Sequence, residues 1–243
     1  MLRPLAKKLL RSGGIVASRY DPNRDPEAMR GRLLERERID LVFDVGANCG
    51  QYARQLRHCG YRNRIVSFEP LTSAFALLEE SAKDDPAWTV EQCALGDADG
   101  NVTINIAGNS WSSSILDMLP RHLQAAPESA YVGQETVSLA RLDSLFERFA
   151  KPGDRVFVKI DTQGFTAQVL RGLDAHIGRV QGFEIELSNV PLYKGEPLLH
   201  EVLAMLQERG FSLFYAEPAV VDPATGQQLQ MNGLLLRATA RPE

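Results

Sequence analysis

The chain is predicted to be an α/β protein built on an open, mostly parallel sheet, and three observations point there. Residues Val42 to Gly50 run Val-Phe-Asp-Val-Gly-Ala-Asn-Cys-Gly, an apolar strand that ends in an acid and opens into a glycine turn. Nineteen positions past Gly50 stands Glu69, closing a second apolar strand, Ile-Val-Ser-Phe-Glu-Pro. A third apolar run, Arg155 to Ile160, again stops at an acid, Asp161. Continuous apolar strands separated by helical stretches form parallel sheets buried on both faces. Such sheets bind small molecules in the crevice at the carboxyl ends of their strands.

The elements follow in order. Residues 1–40 read as an N-terminal helical extension: a basic, partly apolar start from Met1 to Arg19, a turn-rich break from Asp21 to Pro26, then a polar helix from Glu27 to Arg38. Residues 41–243 read as one domain. Its first strand is Leu41 to Val45, and a helix from Gln51 to Cys59 stops at Gly60. Strand Arg64 to Phe68, helix Thr72 to Lys83 and strand Thr89 to Ala94 come next. After the turn Asp99-Gly100-Asn101, Val102 to Ile106 alternates in period two, as a strand leaving a tight turn does. Asn109 to Tyr131 has no regular period and carries Trp111 and the serines Ser112 to Ser114. Long irregular loops in compact domains are often functional. Thr136 to Leu139 reads as an edge strand and Leu142 to Phe149 as a short helix. The Arg155–Ile160 strand leads to a helix from Gly164 to Leu173 and a strand from Phe183 to Leu187. Pro197 to Arg209 is a helix with Pro in its first turn, Leu199, Val202 and Leu206 on one face and Gly210 past its end. Phe211 to Ala216 and Gly233 to Arg237 read as a closing antiparallel pair.

Bulk properties exclude several classes. With a net charge of −4 and a pI near 5.7, the chain has no basic surplus to suit nucleic acid. Its three cysteines, Cys49, Cys59 and Cys93, lack Cys-x-x-Cys spacing. They fit a reducing compartment, and neither a disulfide frame nor a zinc site. No run approaches the length of a membrane span, and the start has no long apolar core or cleavage site of a signal peptide. The expectation is a cytoplasmic protein. The basic residues Arg3, Lys7, Lys8, Arg11 and Arg19 add the expectation of a weak peripheral contact with the inner membrane surface.

Charge narrows the ligand. A dinucleotide site brings a pyrophosphate onto the glycine turn, but Asp44 stands two residues before Gly46 and would repel it. A carboxylate there attracts an ammonium group instead. Gly-x-x-x-Gly is also not the Gly-x-Gly-x-x-Gly spacing of dinucleotide folds, and Asn48 in its middle tolerates left-handed backbone. Glu69 is placed to hold two ribose hydroxyls. A ligand with an adenine riboside at one end and an amino acid at the other is S-adenosylmethionine. Its expected contacts are Asp44, Gly46, Asn48, Gly50 and Gln51 at the turn, Glu69 and Pro70 at the second strand, and Ala94, Leu95 and Asp97 beside the adenine.

For chemistry, Asp161 is the leading general base, followed by Glu186 and His122. Lys159 shares a strand side with Asp161 and reads either as a structural ion pair or as part of a polar pair facing the transferred methyl. Glu184 and Glu186 share one face of an apolar strand, so at least one must be paired or functional. Tyr193 and Lys194 can line an acceptor pocket. No His-Glu-x-x-His cluster marks a metal site. Asp161 and Glu186 leave open a divalent ion, such as magnesium, held together with a substrate diol.

At these residues the chain resembles the FkbM-type S-adenosylmethionine-dependent methyltransferases. The matching runs are Phe43 to Tyr52, Ser67-Phe68-Glu69-Pro70, Ala94-Leu95-Gly96-Asp97, Ser112 to Ser114, Leu142-Asp143, Lys159 to Phe165, and Val190 to Gly195. They cover about Asp40 to the C-terminus. The Asp-Thr-Gln-Gly-Phe and Pro-Leu-Tyr variants look closest to actinobacterial members that methylate deoxysugars, such as rhamnose, on glycolipids. The resemblance implies a Rossmann-like class I methyltransferase: a seven-stranded, mostly parallel sheet with one antiparallel strand and helices on both faces. It further implies O-methyl transfer to a hydroxyl of a sugar or natural product, and places Asp44, Gly46, Asn48 and Glu69 at the cofactor. Two positions depart from the family pattern: Cys49, where Thr is common, and Thr166, where Glu commonly follows the Gly-Phe pair. Two other functions compete: a nicotinamide-dependent oxidoreductase, and a non-catalytic module that keeps the cofactor fold.

Overall fold

The three strands that end in acids lie close together in one sheet. A computed structural model describes residues 8, 10–15, 21 and 25–238. In chain order its main elements are α1 (Pro26–Arg36), β1 (Leu41–Val45), α2 (Gln51–His58), β2 (Arg64–Phe68), α3 (Thr72–Ala82), β3 (Trp88–Glu91), β4 (Ala94–Gly96) and β5 (Gly100–Ala107). There follow α4 (Pro120–Ala125), β6 (Tyr131–Arg141), α5 (Leu142–Phe149), β7 (Val156–Ile160), α6 (Thr166–Arg171), β8 (Val180–Ser188), α7 (Leu199–Gln207), β9 (Phe211–Val221) and β10 (Gln228–Arg237).

The seven-stranded sheet has the order β3-β2-β1-β7-β8-β10-β9. Strand β10 pairs antiparallel with both neighbours and the other pairings are parallel. This is the expected class I methyltransferase sheet. The strand order reverses between β1 and β7, which places the ligand crevice over their carboxyl ends. Alternation divides each central strand between two cores. Phe43 and Val45 of β1 pack with α5, α6 and α7 through Phe146, Val169, Leu170, Val202 and Leu206. Val42 packs on the opposite face with Leu33 and Leu34 of α1, Ala53 and Leu56 of α2, and Leu78 of α3.

Three expectations need correction. The run Thr89 to Ala94 is not one strand. The chain turns at Gln92 and Cys93, and Ala94–Gly96 joins a separate three-stranded sheet, β4-β6-β5. The edge strand expected at Thr136 to Leu139 is part of the longer β6, which pairs with β5 over nearly all of that strand. The irregular segment 109–131 contains the short helix α4. The small sheet is a local insertion whose polar alternation looks like a hairpin in sequence; only its packing against Leu71 and Ala74 shows it to be a second layer beside the crevice.

The turn-rich break and the basic start lie mostly outside the described residues, with Lys8 and Arg11 exposed. Among the described residues no helix is long and apolar enough to cross a membrane. Helix α1 begins at a side-chain cap, Asp25, which accepts from the Glu27 and Ala28 amides. It is anchored by a buried ion pair: Arg30 donates to Glu184 through Nε at 2.7 Å and Nη2 at 2.5 Å, with both side chains about 7% exposed. Tyr52 donates to the same carboxylate at 2.8 Å. Glu184 is thus the paired member of the two acids on β8. Removing one partner of a buried pair strands the other charge, at about 3–5 kcal/mol. Arg30→Ala should lower stability to urea by about that amount; a midpoint shift equivalent to under about 1 kcal/mol would show that the pair is dispensable.

Candidate functional site

The turn after β1 needs its two glycines and its asparagine. Gly46, Asn48 and Gly50 all take left-handed backbone, with φ of 74°, 47° and 81°. A Cβ on Gly46 would lie 1.8 Å from the Asp161 carbonyl oxygen, so only glycine lets the ends of β1 and β7 approach this closely. The Asn48 side chain accepts from the Cys49 amide at 2.8 Å, and the Asn48 amide donates to Glu69 Oε2 at 2.8 Å. Gly50 does not reach the crevice. It starts α2, and a Cβ there would meet the Trp88 ring at 2.7 Å, so its role is structural.

Above this turn lies a cavity of about 320 Å³. Gly46, Asn48, Gln51, Glu69 and Pro70 line it as expected, with Ala94 and Leu95 at the far wall. Cys93 and Phe68 also contribute to that wall, although no sequence signal singled them out. Asp97 does not line it. Because β4 has left the main sheet, the chain has passed the crevice by Asp97, which accepts from Arg171 Nε at 3.0 Å on the outside of the molecule. Thr166 is buried at the start of α6 and does not line the cavity either.

Asp44 is the main correction. Its side chain is 0% exposed and points into the interior below the turn, away from the cavity. In strand register Ser67 faces Asp44, Asp44 faces Lys159, and Lys159 faces Glu184. Ser67 Oγ donates to Asp44 at 2.9 Å and Lys159 Nζ lies 3.1 Å from its other oxygen. The same ammonium donates to the Gly46 carbonyl at 2.7 Å. Burial pulls the Lys159 pKa down, but Asp44, Asp161 and Glu184 more than offset this and hold it above its ordinary value. Asp44 is therefore paired with Lys159 and Ser67 below the turn and does not line the cavity. Lys159 is nearer Asp44 than Asp161, whose Oδ2 is 3.8 Å away.

The two remaining acids meet. Gln163 Nε2 donates to Asp161 Oδ1 at 2.8 Å and to Glu186 Oε2 at 2.9 Å. Its Oε1 accepts from the buried Tyr193 hydroxyl at 2.7 Å. Gln163 is the residue that sequence reading passed over. It takes left-handed backbone at φ 49° directly before Gly164, and that glycine is its only signal in the sequence. Burial, with Asp161 and Glu196 adding, pushes the Glu186 pKa well above the carboxylate range. Burial thus favours the neutral form of Glu186, while the Asp161 side chain is 42% exposed. An amide donor occupies the position between them that a cation would need, so the pair does not fit a magnesium ion. Among the described residues no group of three or more His, Cys, Asp or Glu is arranged for a metal.

A smaller polar recess of about 150 Å³ lies on the α1 side, lined by Gln51, Gln55, Lys159 and Asn232, and shares Asp161 and Glu186 with the main cavity. On the opposite side the irregular loop forms a roof from Ser110 to Ser114. Behind it His122 is buried, its Nε2 3.2 Å from Ser129 Oγ, and burial lowers its pKa. Lys194 is exposed and pairs loosely with Asp117 outside the cavity.

Residues 44–213 match the family model described as the methyltransferase FkbM domain. The chain is similar to the hexuronic acid methyltransferase AglP of Haloferax volcanii, at 26% identity over 165 residues that cover 67% of this chain and 62% of that protein. It is similar in structure to the precorrin-6y C5,15-methyltransferase of Geobacter metallireducens, with 12% identity, 92% and 94% of the two chains covered, and a TM-score of 0.46. It is also similar to Aeropyrum pernix fibrillarin with bound S-adenosyl-L-methionine, with 11% identity, coverage of 81% and 66%, and a TM-score of 0.45.

Glu69 accepts from Asn48 N and from Leu71 N at 2.9 Å, yet burial pushes its pKa from 4.5 up to about 7. A raised carboxyl binds its proton more tightly in the folded chain. Its contribution to stability is therefore complete below about pH 4.5 and declines as pH rises to about 7, by roughly 3 kcal/mol. Glu69→Gln should remove that decline. Urea unfolding of both proteins at pH 5 and pH 8 checks it, and equal pH dependence in the two would refute the assignment.

Proposed function

The chain belongs to the FkbM methyltransferase family, and we propose that it is an S-adenosylmethionine-dependent O-methyltransferase acting on a sugar hydroxyl, with a glycolipid deoxysugar as the first acceptor to try. The observation that carries the donor is Glu69. A carboxylate offers about four acceptor sites, and two of these are used by the Asn48 and Leu71 amides. The other two remain for a ribose diol at the end of β2. The wall of Phe68, Cys93, Ala94 and Leu95 suits an adenine, and the polar recess with Gln51 and Lys159 suits an amino-acid tail. With Asp44 held by Lys159, Asp161 is left as the acid at this end of the cavity. The family match also replaces the nicotinamide oxidoreductase alternative.

For the acceptor, support comes from the name of the 26% identical relative, a hexuronic acid methyltransferase. The net charge of −4 supports a small or lipid-linked acceptor over nucleic acid. S-adenosylmethionine supplies an electrophilic methyl group carried on sulfur. The chain holds the acceptor oxygen in line and accepts its proton. Asp161, fixed by the Gln163 amide, is the base, and Glu186, bound to the same amide, positions the acceptor beside it. Orientation of this kind contributes several kcal/mol to lowering the barrier.

Donor binding should weaken about ten-fold from pH 8 to pH 6, because a protonated Glu69 loses acceptor sites for the ribose. Calorimetry with S-adenosylmethionine measures this, and Glu69→Gln should bind weakly at both values. Asp161→Asn should lower turnover by about 10²–10⁴ while donor affinity changes less than about three-fold. Normal turnover in that variant would move the base elsewhere.

A further inference from the structure

We propose that Trp111 is the stacking platform for the acceptor's sugar ring, with Ser112 and His122 behind it reading the ring's hydroxyls; this rests on the reading above and names the acceptor's side of that site. Trp111 is 70% exposed, the most exposed aromatic side chain among the described residues of the cavity wall. A lone exposed apolar residue is ordinary. Here the loop beneath it is bonded too closely for that reading.

The Asn109 side chain takes the Ser112 amide at 3.1 Å and donates to Ser112 Oγ and Ser129 Oγ at 3.1 and 3.0 Å. Ser113 Oγ donates to the Ser110 carbonyl at 2.8 Å and accepts from the Ala107 amide at 3.0 Å. Ser114 exchanges backbone bonds with Asn105, and its hydroxyl donates to the Gln163 carbonyl at 2.6 Å. The segment that carries Trp111 is therefore fixed to the residue that holds Asp161 and Glu186. A rigid aromatic held in water on the wall of the cavity that also holds the two acids gains area only when a ligand covers it.

The surroundings choose the ligand. Behind Trp111 the cavity wall is formed by serine hydroxyls and by His122, whose Nδ1 is buried without a hydrogen-bond partner. An unpaired buried ring nitrogen is costly unless a ligand satisfies it. A pyranose offers an apolar C–H face to the indole and hydroxyls at its edge for the serines and the imidazole. A phenol or nucleobase would stack equally well but would leave most of those groups unmet.

The chain has two tryptophans, and Trp88 is buried, so an emission change that is lost in Trp111→Phe reports on Trp111. Octyl α-L-rhamnoside, a methyl hexuronoside and catechol are the probes, each titrated with the methyl donor present. The sugars should shift the emission of wild type to the blue, and Trp111→Phe should lose that signal while still binding. Trp111→Ala should raise the KM of the sugar about ten-fold with the donor's KM unchanged, and Trp111→Phe should recover most of it. An unchanged sugar KM in Trp111→Ala, the absence of any sugar-dependent emission shift, or methylation of catechol but of neither sugar overturns the proposal. Failure of the wild type to bind S-adenosylmethionine by calorimetry is a separate result and sinks the parent reading instead.

Discussion

A buried row of alternating charges underlies the whole site. Asp44, Lys159, Glu184 and Arg30 follow one another across β1, β7, β8 and α1 at a single level of the sheet. Ser67 and Trp88 close one end: the indole donates to the Ser67 hydroxyl at 2.9 Å, which donates onward to Asp44. Tyr52 lies over the middle, its ring 5.6 Å from the Lys159 ammonium and its hydroxyl on Glu184. Each charge would be expensive alone in this interior, and each is tolerable because its neighbour carries the opposite sign. Such a row admits one strand register, since a one-residue slip would place every charge against the apolar core of the other face.

That constraint reaches the crevice through Lys159. Its ammonium binds the Gly46 carbonyl from below, while the Gly46 and Ala47 amides donate to the Phe68 carbonyl at the end of β2. The glycine turn is thereby fixed to three strands at once. Glu69 completes the bracing from above through the Asn48 amide. The carboxylate expected to meet the ligand at the turn instead holds the platform on which the ligand rests. The Asp161 end of the cavity is supported in the same manner by Gln163, Tyr193 and, through Ser114, the serine loop.

The two acids at that end have different tasks because their surroundings differ. Burial, with Asp161 and Glu196 adding, raises the pKa of Glu186. Both acids line the two cavities, and Asp161 is the more open of the pair, its side chain 42% exposed. Gln163 between them keeps a cation out and sets their spacing. A methyl transfer to oxygen asks mainly for position and one proton acceptor, and this arrangement supplies both.

Much of this protein could be read from order along the chain. The buried strands at Leu41 to Val45, Arg64 to Phe68 and Arg155 to Ile160, the glycine turn with Asn48, and the acids Glu69, Asp161 and Glu186 all depend on local pattern, which strand and turn chemistry impose directly. The direction of a side chain relative to a neighbouring strand does not. Whether Asp44 faced the ligand or Lys159 turned on strand register, and the loss of Asp97 turned on β4 leaving the sheet. Gln163 gained its role only when residues 23 and 30 positions further along the chain came within hydrogen-bonding distance of it. Charges and amides act over a few ångströms of space, so their partners were decided by the fold, while the apolar period that builds the fold was already written in the sequence.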